Sequence, residues 1–484
     1  MENENRFKRT HPYSMIRHFK IYAILLILTL IQQIFLRPQE LVAFIGSLGV
    51  NAFYVLSVLF YFISDYTNRM CRMSSRGFDV KSGIFIKRHY TIPYRKISSV
   101  MFYSNIISYI FNAERISVDT PGGFRKKYDF SAYFSRKKTH EVRTFIENDN
   151  APSFIFTSRI ISIILMSAFW SNPVTGLIFI VPVISNISKI VGSDTAQKII
   201  MSSIDRQWKI IAMWISPAAA LVAAIILLSW AISMLNVFLR YVRFKSMKLG
   251  DYIVTSKGLI TRTENYSRIS SISSVSVDQS LFMKLLRLKS CSVNLIGAGK
   301  QKGDRRLLFS ADSYDMVQNG MTSITGLPNN EESVVRRAPR SIFSYVYYPL
   351  IISGVILSLL ILSYKIRFMS SSFRLLLYIF LFIVLWWIMF RIFAYFHARI
   401  AVNEKCLIIC TFHKMTLKKH FIPFEMVQYA EITRTPFQKR KGKCSLSIGI
   451  YSEKRKSLKV KQLPLDAARE LLKSKKINLI EAGL

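Results

Sequence analysis

Three times over, this chain writes the same pattern: apolar segments, then a basic, β-rich module. The first module holds Lys81-Ser82-Gly83-Ile84-Phe85-Ile86-Lys87, then Ile97-Ser98-Ser99-Val100 and Ile116-Ser117-Val118. The second holds Ser256-Lys257-Gly258-Leu259-Ile260-Thr261-Arg262, then Ile272-Ser273-Ser274-Val275 and Ser292-Val293. One offset of 175 residues carries Gly83 onto Gly258, Ser98 onto Ser273, Val118 onto Val293 and Gly122 onto Gly297. An offset of 330 carries Ile92-Pro93-Tyr94 onto Ile422-Pro423-Phe424 and Ser117-Val118 onto Ser447-Ile448. The module is therefore the unit of structure. In the third copy, Asn403-Glu404-Lys405-Cys406-Leu407-Ile408 resembles the Lys-Gly-Leu-Ile stretch of copy two. That match puts Cys406 where the other copies have glycine, and the longer spacing implies an insertion before Pro423.

The charge balance decides what surrounds these modules. There are 67 Lys and Arg against 28 Asp and Glu, a formal +39, in a chain that is 51% hydrophobic. Nucleic-acid binders are basic but rarely so apolar, and no nucleic-acid partner is expected. The combination fits an integral membrane protein whose basic faces lie on the cytoplasmic side. Arg6, Lys8, Arg9, Arg17 and Lys20 precede an apolar run with no small-residue cleavage site, which reads as an uncleaved first membrane helix with its N-terminus inside. Five scattered cysteines, Cys71, Cys291, Cys406, Cys410 and Cys444, imply no disulfide framework. Cys406, Cys410 and His413 read as thiols and a ring on a strand, with no second pair of metal ligands nearby.

The expected organisation follows from hydropathy and turn signals. Residues 1–64 form an N-terminal tail and a membrane hairpin, with apolar runs at 21–36 and 41–64. Module one spans 65–150, with strand-like runs such as 83–86 and 115–118 and a closing helix. The second membrane region, 154–239, holds apolar runs at 160–170, 174–191 and 210–239, the last interrupted by Pro217. Counted singly they give three spans and put modules one and two on opposite sides. An even count is preferred, because homologous basic modules belong in one compartment and Arg240, Arg243, Lys245 and Lys248 favour the cytoplasm. Either 160–191 is one broken span or the long run turns back, and the sequence leaves both open. Module two spans 240–326, a polar linker 327–340, a third membrane hairpin 341–393 and module three 394–484. The last helix begins after Pro464, with Asp466 at its start and Lys473, Lys475 and Lys476 at its end, as the helix dipole favours.

Short strands followed by one amphipathic helix are what a small bent sheet needs to close its core, the logic of a pleckstrin-homology (PH)-like barrel. On the hairpin Lys257-Gly258-Leu259-Ile260 and its counterparts, the Ile-Pro segments at Pro93 and Pro423, the Ile-Ser-Ser-Val motifs and Gln279-Ser280, the chain resembles the bacterial membrane-flanked pleckstrin-homology-like domain family, in its three-module, YdbT-type transmembrane form. The expected fold class is an α+β polytopic membrane protein. Transmembrane helix pairs alternate with three PH-like β-barrel modules, each capped by a C-terminal helix. The resemblance further implies a smaller single-module membrane relative as partner and a role in envelope protection against membrane-active peptides. Two departures stand out. Copy one has Ser104-Asn105 and copy three Arg434-Thr435 in place of Gln279-Ser280, and copy two has Arg268 in place of the proline.

No catalytic constellation holds. His140-Glu141-Val142-Arg143-Thr144 has Thr144 where a zinc-protease helix needs its second histidine, and Gly297-Ala298-Gly299-Lys300 lacks a phosphate-loop spacing and reads as a hairpin turn. No enzyme activity, cofactor or metal is expected. The basic clusters are the functional signal: Lys87-Arg88, Arg125-Lys126-Lys127, then Lys300, Lys302, Arg305 and Arg306, then Lys439-Arg440-Lys441. Each cation near an anionic leaflet is worth ~1 kcal/mol, so a cluster of four gives roughly 4 kcal/mol before screening and ordering losses. Anionic lipids are the expected partners. The same charges also serve to orient the spans and solvate the modules. The sequence supports a non-enzymatic membrane-surface or partner-binding scaffold, with a transporter or lipid-handling conduit as the alternative.

Overall fold

We describe the protein from a computed structural model over residues 7–15, 53, 56–57, 59–74, 77–122, 128–147, 151–171, 217–297, 306–337, 341–365, 371–413, 415–452, 456–473 and 479–481. The fold is mixed α and β, and its strands assemble into four sheets. The first is antiparallel in the order β1 (Lys8–Arg9), β2 (Met70–Ser74), β3 (Gly77–Ser82), β4 (Arg88–Pro93). Module one continues with β5 (Ser99–Asn105), β6 (Ala113–Asp119) and β7 (Phe130–Ser135). Module two opens with β8 (Phe154–Thr157), β9 (Lys245–Leu249), β10 (Tyr252–Lys257) and β11 (Thr261–Arg268), then β12 (Ile272–Ser280), β13 (Leu288–Leu295) and β14 (Leu307–Ser313). Module three repeats this with β15 (Ser333–Arg336), β16 (Arg399–Val402), β17 (Cys406–His413) and β18 (Thr416–Pro423), then β19 (Val427–Thr433), β20 (Lys443–Ile450) and β21 (Lys456–Pro464). A last short strand, β22 (Leu479–Glu481), follows.

The expectation of a closed barrel in each module is corrected: among the described residues no sheet closes on itself. Each module is split into two half-sheets, and the second half-sheet of one module is joined to the first of the next. β5 pairs with β11 from Ser99↔Ser267 to Asn105↔Thr261, giving a seven-stranded sheet β7-β6-β5-β11-β10-β9-β8. β12 pairs with β18 from Val275↔Phe421 to Ser280↔Thr416, giving β14-β13-β12-β18-β17-β16-β15. The physical reason is that the strand edge needed to seal a module onto itself is already hydrogen-bonded to its neighbour. The last sheet is β21-β20-β19-β22, in which β22 runs parallel to β19.

Two local expectations in the repeat are also corrected. Residues 84–86 form the bend of the β3–β4 hairpin instead of a strand. Gly83 sits there at φ 114° and Gly258 at φ 100° in the β10–β11 hairpin. A Cβ at either would collide with the carbonyl of Ile86 or Thr261, so only glycine fits. Cys406 is not the counterpart of those glycines. It opens β17 and pairs with Pro423, as Gly77 pairs with Pro93, at the far end of the strand. The true counterpart of the glycine turn is at Met415, with φ 61°. The third hairpin is lengthened in its strands and shortened in its loop, so no loop is inserted there.

Helices close the modules as their periodicity predicts. α1 (Ile106–Ile110) is a single turn, and α2 (Arg136–Glu147) lays Thr139 and Val142 on β6 and β7. α3 (Ile160–Trp170) and α4 (Pro217–Tyr241) are apolar. α5 (Leu281–Leu285) matches α1, and α6 (Tyr314–Thr325) buries Val317, Gly320, Met321 and Ile324. α7 (Ile342–Lys365) and α8 (Ser371–His397) pack on each other; α9 (Pro436–Arg440) and α10 (Leu465–Lys473) complete module three. Among the described residues, three helices are long and apolar enough to cross a membrane, at Ala224–Tyr241, Ile342–Lys365 and Leu376–His397. The apolar runs expected at 21–36 and 174–191, with most of 41–64, lie outside the described residues, so the span count before α4 does too.

Two of the three main cores are shared across the junctions. Phe78, Phe102 and Ile116 of module one pack with Leu249, Val254 and Tyr266 of module two. Val275, Phe309 and Met321 of module two pack with Ala401, Ile408 and Phe421 of module three. Burial of this apolar surface, at roughly 25 cal/mol per Å², therefore stabilises the array and not only each module.

Candidate functional site

The strands that open each first half-sheet come from both sides of an apolar region. Lys8↔Cys71 and Arg9↔Met70 pair across the first such region, Thr157↔Lys245 across the second, and Arg336↔Arg399 across the third. Hence the chain enters and leaves the second and third apolar regions at one end of the sheet array, the end where α3 and α7 begin and α4 and α8 finish.

That end carries a recurring apolar surface. At the hairpin tips Phe85 is 95% exposed, and Leu259 and Ile260 are half-exposed. The tip of copy two is tied to α4, with Gly258 N–H donating to the Val242 carbonyl and Leu259 N–H to that of Leu239. The single-turn helices expose Ile110, Leu285 and Phe437, and α5 lies beside the third hairpin, with Leu281 N–H donating to the Met415 carbonyl. Phe282 of α5 stacks on Phe169 of α3 at 5.7 Å, and Phe412 of β17 meets Phe390 and Phe393 of α8. Sequence reasoning read the copy-two hairpin as a turn but took residues 83–86 of copy one for a strand, because a strand-like run and a hairpin apex look alike in composition.

The residues predicted from the charge pattern do not all gather at this end. Lys87 and Arg88 flank the first hairpin tip and are exposed. Lys439 and Arg440 lie in α9 and Lys441 caps it, all exposed. Arg306 precedes β14 at the opposite end, where its carbonyl accepts from Val293 N–H at 2.8 Å. Arg125, Lys126, Lys127, Lys300, Lys302 and Arg305 lie outside the described residues.

The repeat residues have identifiable tasks. Pro93 and Pro423 each precede a 3₁₀ turn with φ near −60°, and Arg268 takes the same place at φ −70°, so proline is not required there. Arg268 instead reaches module one, donating from Nη1 to the Arg95 carbonyl at 2.8 Å. The variable pairs are explained by capping. Asn105, Ser280 and Thr435 each N-cap the single-turn helix, accepting from the N–H of Ser108, Met283 and Gln438. What persists is the capping class of residue, not its identity. Gly297, at φ 63°, sits against Thr120 of module one, and its carbonyl accepts from the Ser98 and Ser99 hydroxyls. Among the described residues nothing lies within 4 Å of a Cβ placed on Gly122.

The two junctions differ in chemistry. At the first, Arg143 of α2 lies between two glutamates, 2.6 Å from Glu114 of β6 and 2.9 Å from Glu264 of β11, with its guanidinium 4.5 Å above the Phe102 ring. Thr139 donates to Glu114 at 2.6 Å. The second junction holds an open cleft of about 240 Å³ lined by Lys289, Lys418, Lys419, Arg399, Gln279 and Tyr314 among others. Lys419 lies 2.8 Å from Glu331, and Lys418 lies 3.6 Å from Asp278. Lys289 rests 3.6 Å over the Tyr314 ring. Burial, and then the neighbouring Lys419 charge, lower its pKa to about 8. Burial pushes the thiol of Cys410, also on this cleft, upward. Among the described residues no cluster of His, Cys, Asp and Glu is arranged to hold a metal.

A family model described as the bacterial PH domain matches residues 22–150, 175–319 and 342–476, most of the chain. The chain belongs to this family. The threefold match agrees with the three modules read from the repeat. No curated protein matches the sequence.

Proposed function

We propose that this bacterial PH domain protein is a polytopic, non-catalytic membrane scaffold. Its three modules form one continuous row against the cytoplasmic leaflet. The pairing of strands across each apolar region carries the reading: a chain that returns to its neighbouring strand has crossed a membrane an even number of times, whatever the path between. This favours the even count left open by hydropathy for the second region. The exposed tips Phe85, Leu259 and Phe437 would seat in the interface, flanked by Lys87, Arg88 and Lys439 to Lys441 facing anionic headgroups. The cytoplasmic orientation rests on the excess of Lys and Arg. The envelope-protection role rests on family resemblance alone.

The scaffold also has a place for a partner. β4, β11 and β18 are the same strand in three copies. At both junctions the register is identical, with Val100 opposite Tyr266 and Val275 opposite Phe421. In copy one the strand carries no outer neighbour among the described residues, and Arg88 through Thr91 are exposed where Asn265, Tyr266, His420 and Phe421 are buried. An edge built to receive a PH-like second half-sheet fits a further PH-like module, such as a smaller single-module relative.

Single cysteines at Lys365, Phe85 and Phe437, in a chain whose native cysteines are replaced, test the topology in intact cells. Only Lys365→Cys should react with an impermeant reagent from outside. Opposite labelling of Phe85→Cys and Phe437→Cys would refute the reading.

A further inference from the structure

The repeat allows the two junctions to be compared residue by residue. Glu114 and Lys289 are each the second residue of their strand, β6 and β13. Arg143 and Met321 are each the eighth residue of the capping helix. Glu264 pairs with Phe102 as Lys419 pairs with Val277. At the first junction the Arg143 guanidinium bridges two carboxylates and fills the space over an aromatic ring, and Arg262 pairs with Glu264 from outside at 2.7 Å. At the second, both carboxylates are replaced by ammonium groups, the guanidinium by an uncharged thioether and the phenyl ring by an isopropyl group. Charge is inverted, the central counter-charge is gone, and a cleft opens where the side chains shrink.

The remaining charges do not restore neutrality. Lys289, Lys418, Lys419 and Arg399 line the cleft, and the carboxylates paired with these cations are Glu331 and Asp278. Among the described residues Lys289 has no carboxylate within ion-pair distance; its described contact is the Tyr314 ring. Two cations that face each other across an unfilled space are destabilising unless something negative lies between them. Polar groups able to complete such a site converge there. The Thr411 and Tyr314 hydroxyls, which can donate to an anion, share the lining. Phe396 and His397, at the end of α8, are part of the lining, so the cleft is at the same end of the array as the apolar helices.

We propose that the second module junction is an anion site that takes a phosphate-class group between Lys289 and Lys419. The group would do for this junction what Arg143 does for the first, with the charges reversed. A free phosphate and a phospholipid headgroup share this chemistry. The inference does not depend on the membrane reading, because a soluble anion would satisfy it.

The test uses the full chain in a non-ionic detergent. One arm measures binding of inorganic phosphate by calorimetry. The other counts, by native mass spectrometry, phosphatidylglycerol against phosphatidylcholine retained after extraction from mixed bilayers. Lys289→Gln removes a charge; Val277→Phe installs the ring of copy one and fills the cleft without altering charge. Each variant should weaken binding about tenfold or more, the usual weight of a charge-assisted contact. Loss confined to the phosphate arm assigns a soluble anion, and loss of selective phosphatidylglycerol retention assigns a headgroup. Wild-type chain that binds neither, or binding unchanged in both variants, overturns the proposal.

Discussion

Replacing Arg143 with methionine, the residue that copy two carries at this place, should loosen the first junction and leave module three intact. The substitution leaves Glu114, 8% exposed, without a cation, facing Glu264, 12% exposed, whose remaining cation is the exposed Arg262 at 2.7 Å. Removing one member of a buried ionic group costs about 3–5 kcal/mol. Arg143 is itself 21% exposed, which favours the lower end. About 3 kcal/mol is a little over two decades in the equilibrium for local opening, at 1.36 kcal/mol per decade. The native cysteines report it. Cys71 lies in the shared core with Phe102 and Tyr266, and burial pushes its thiol up to about 12, so it reacts with a thiol reagent only when that core opens. Cys444 does the same for the core of module three. In Arg143→Met, Cys71 should label about a hundredfold faster at neutral pH with Cys444 unchanged. Adding Glu114→Gln and Glu264→Gln should recover most of the loss. A Cys71 rate within threefold of wild type, or equal acceleration at Cys444, would refute the claim that the ion triad holds this junction.

Gly297→Ala should cost about 1–3 kcal/mol, since the residue has positive φ and the new methyl meets the Thr120 carbonyl; Gly122→Ala should be silent in the same labelling assay. Deleting residues 474–484 removes β22 and bares β19, so copies should associate head to tail, β19 of one on β4 of the next. Thr91→Cys with Ala430→Cys should then cross-link between chains, because these positions correspond to the Tyr266 and Val100 partners of the first junction. A deletion variant that sediments like wild type counts against an open β4 edge. Anion binding at the second junction should depend on pH through Lys289. With a pKa lowered to about 8, it is charged below that value and loses its proton above it, so affinity for sulfate, a probe of constant charge, should hold below pH 8 and fall above it. The other charged groups facing the cleft are Lys418, Lys419 and Arg399, with Glu331 and Asp278 beside them. A flat profile between pH 7 and 9.5, or the same fall in Lys289→Gln, would remove Lys289 from the site.

Much of the module was legible because its signals are local. Hairpin glycines at positive φ and the apolar stripe of α2 and α6 leave local marks in the chain. The Gln279-Ser280 pair changes identity from copy to copy, yet Asn105, Ser280 and Thr435 are interchangeable as helix caps, which a comparison by residue class reveals. Cys406 was misplaced because Leu407-Ile408 imitates Leu259-Ile260 in composition, and a short motif carries no record of which end of a strand it occupies. The cleft lining was out of reach. Lys289 and Lys419 lie 130 residues apart and in different modules, and each looks like an ordinary surface lysine.

By itself the sequence determined the threefold module, its strand and helix content, the apolar helices and the basic excess, since each depends on residues near one another in the chain. Only the tertiary structure decided how the modules join. Backbone hydrogen bonds between strand edges are indifferent to side-chain identity, so nothing in β5 or β12 announces that it will pair with the next module instead of closing its own. The same edge pairing places Glu264 against Arg143 and Lys419 across from Lys289. A difference of a few side chains between two copies thereby becomes one sealed junction and one open, positively charged cleft.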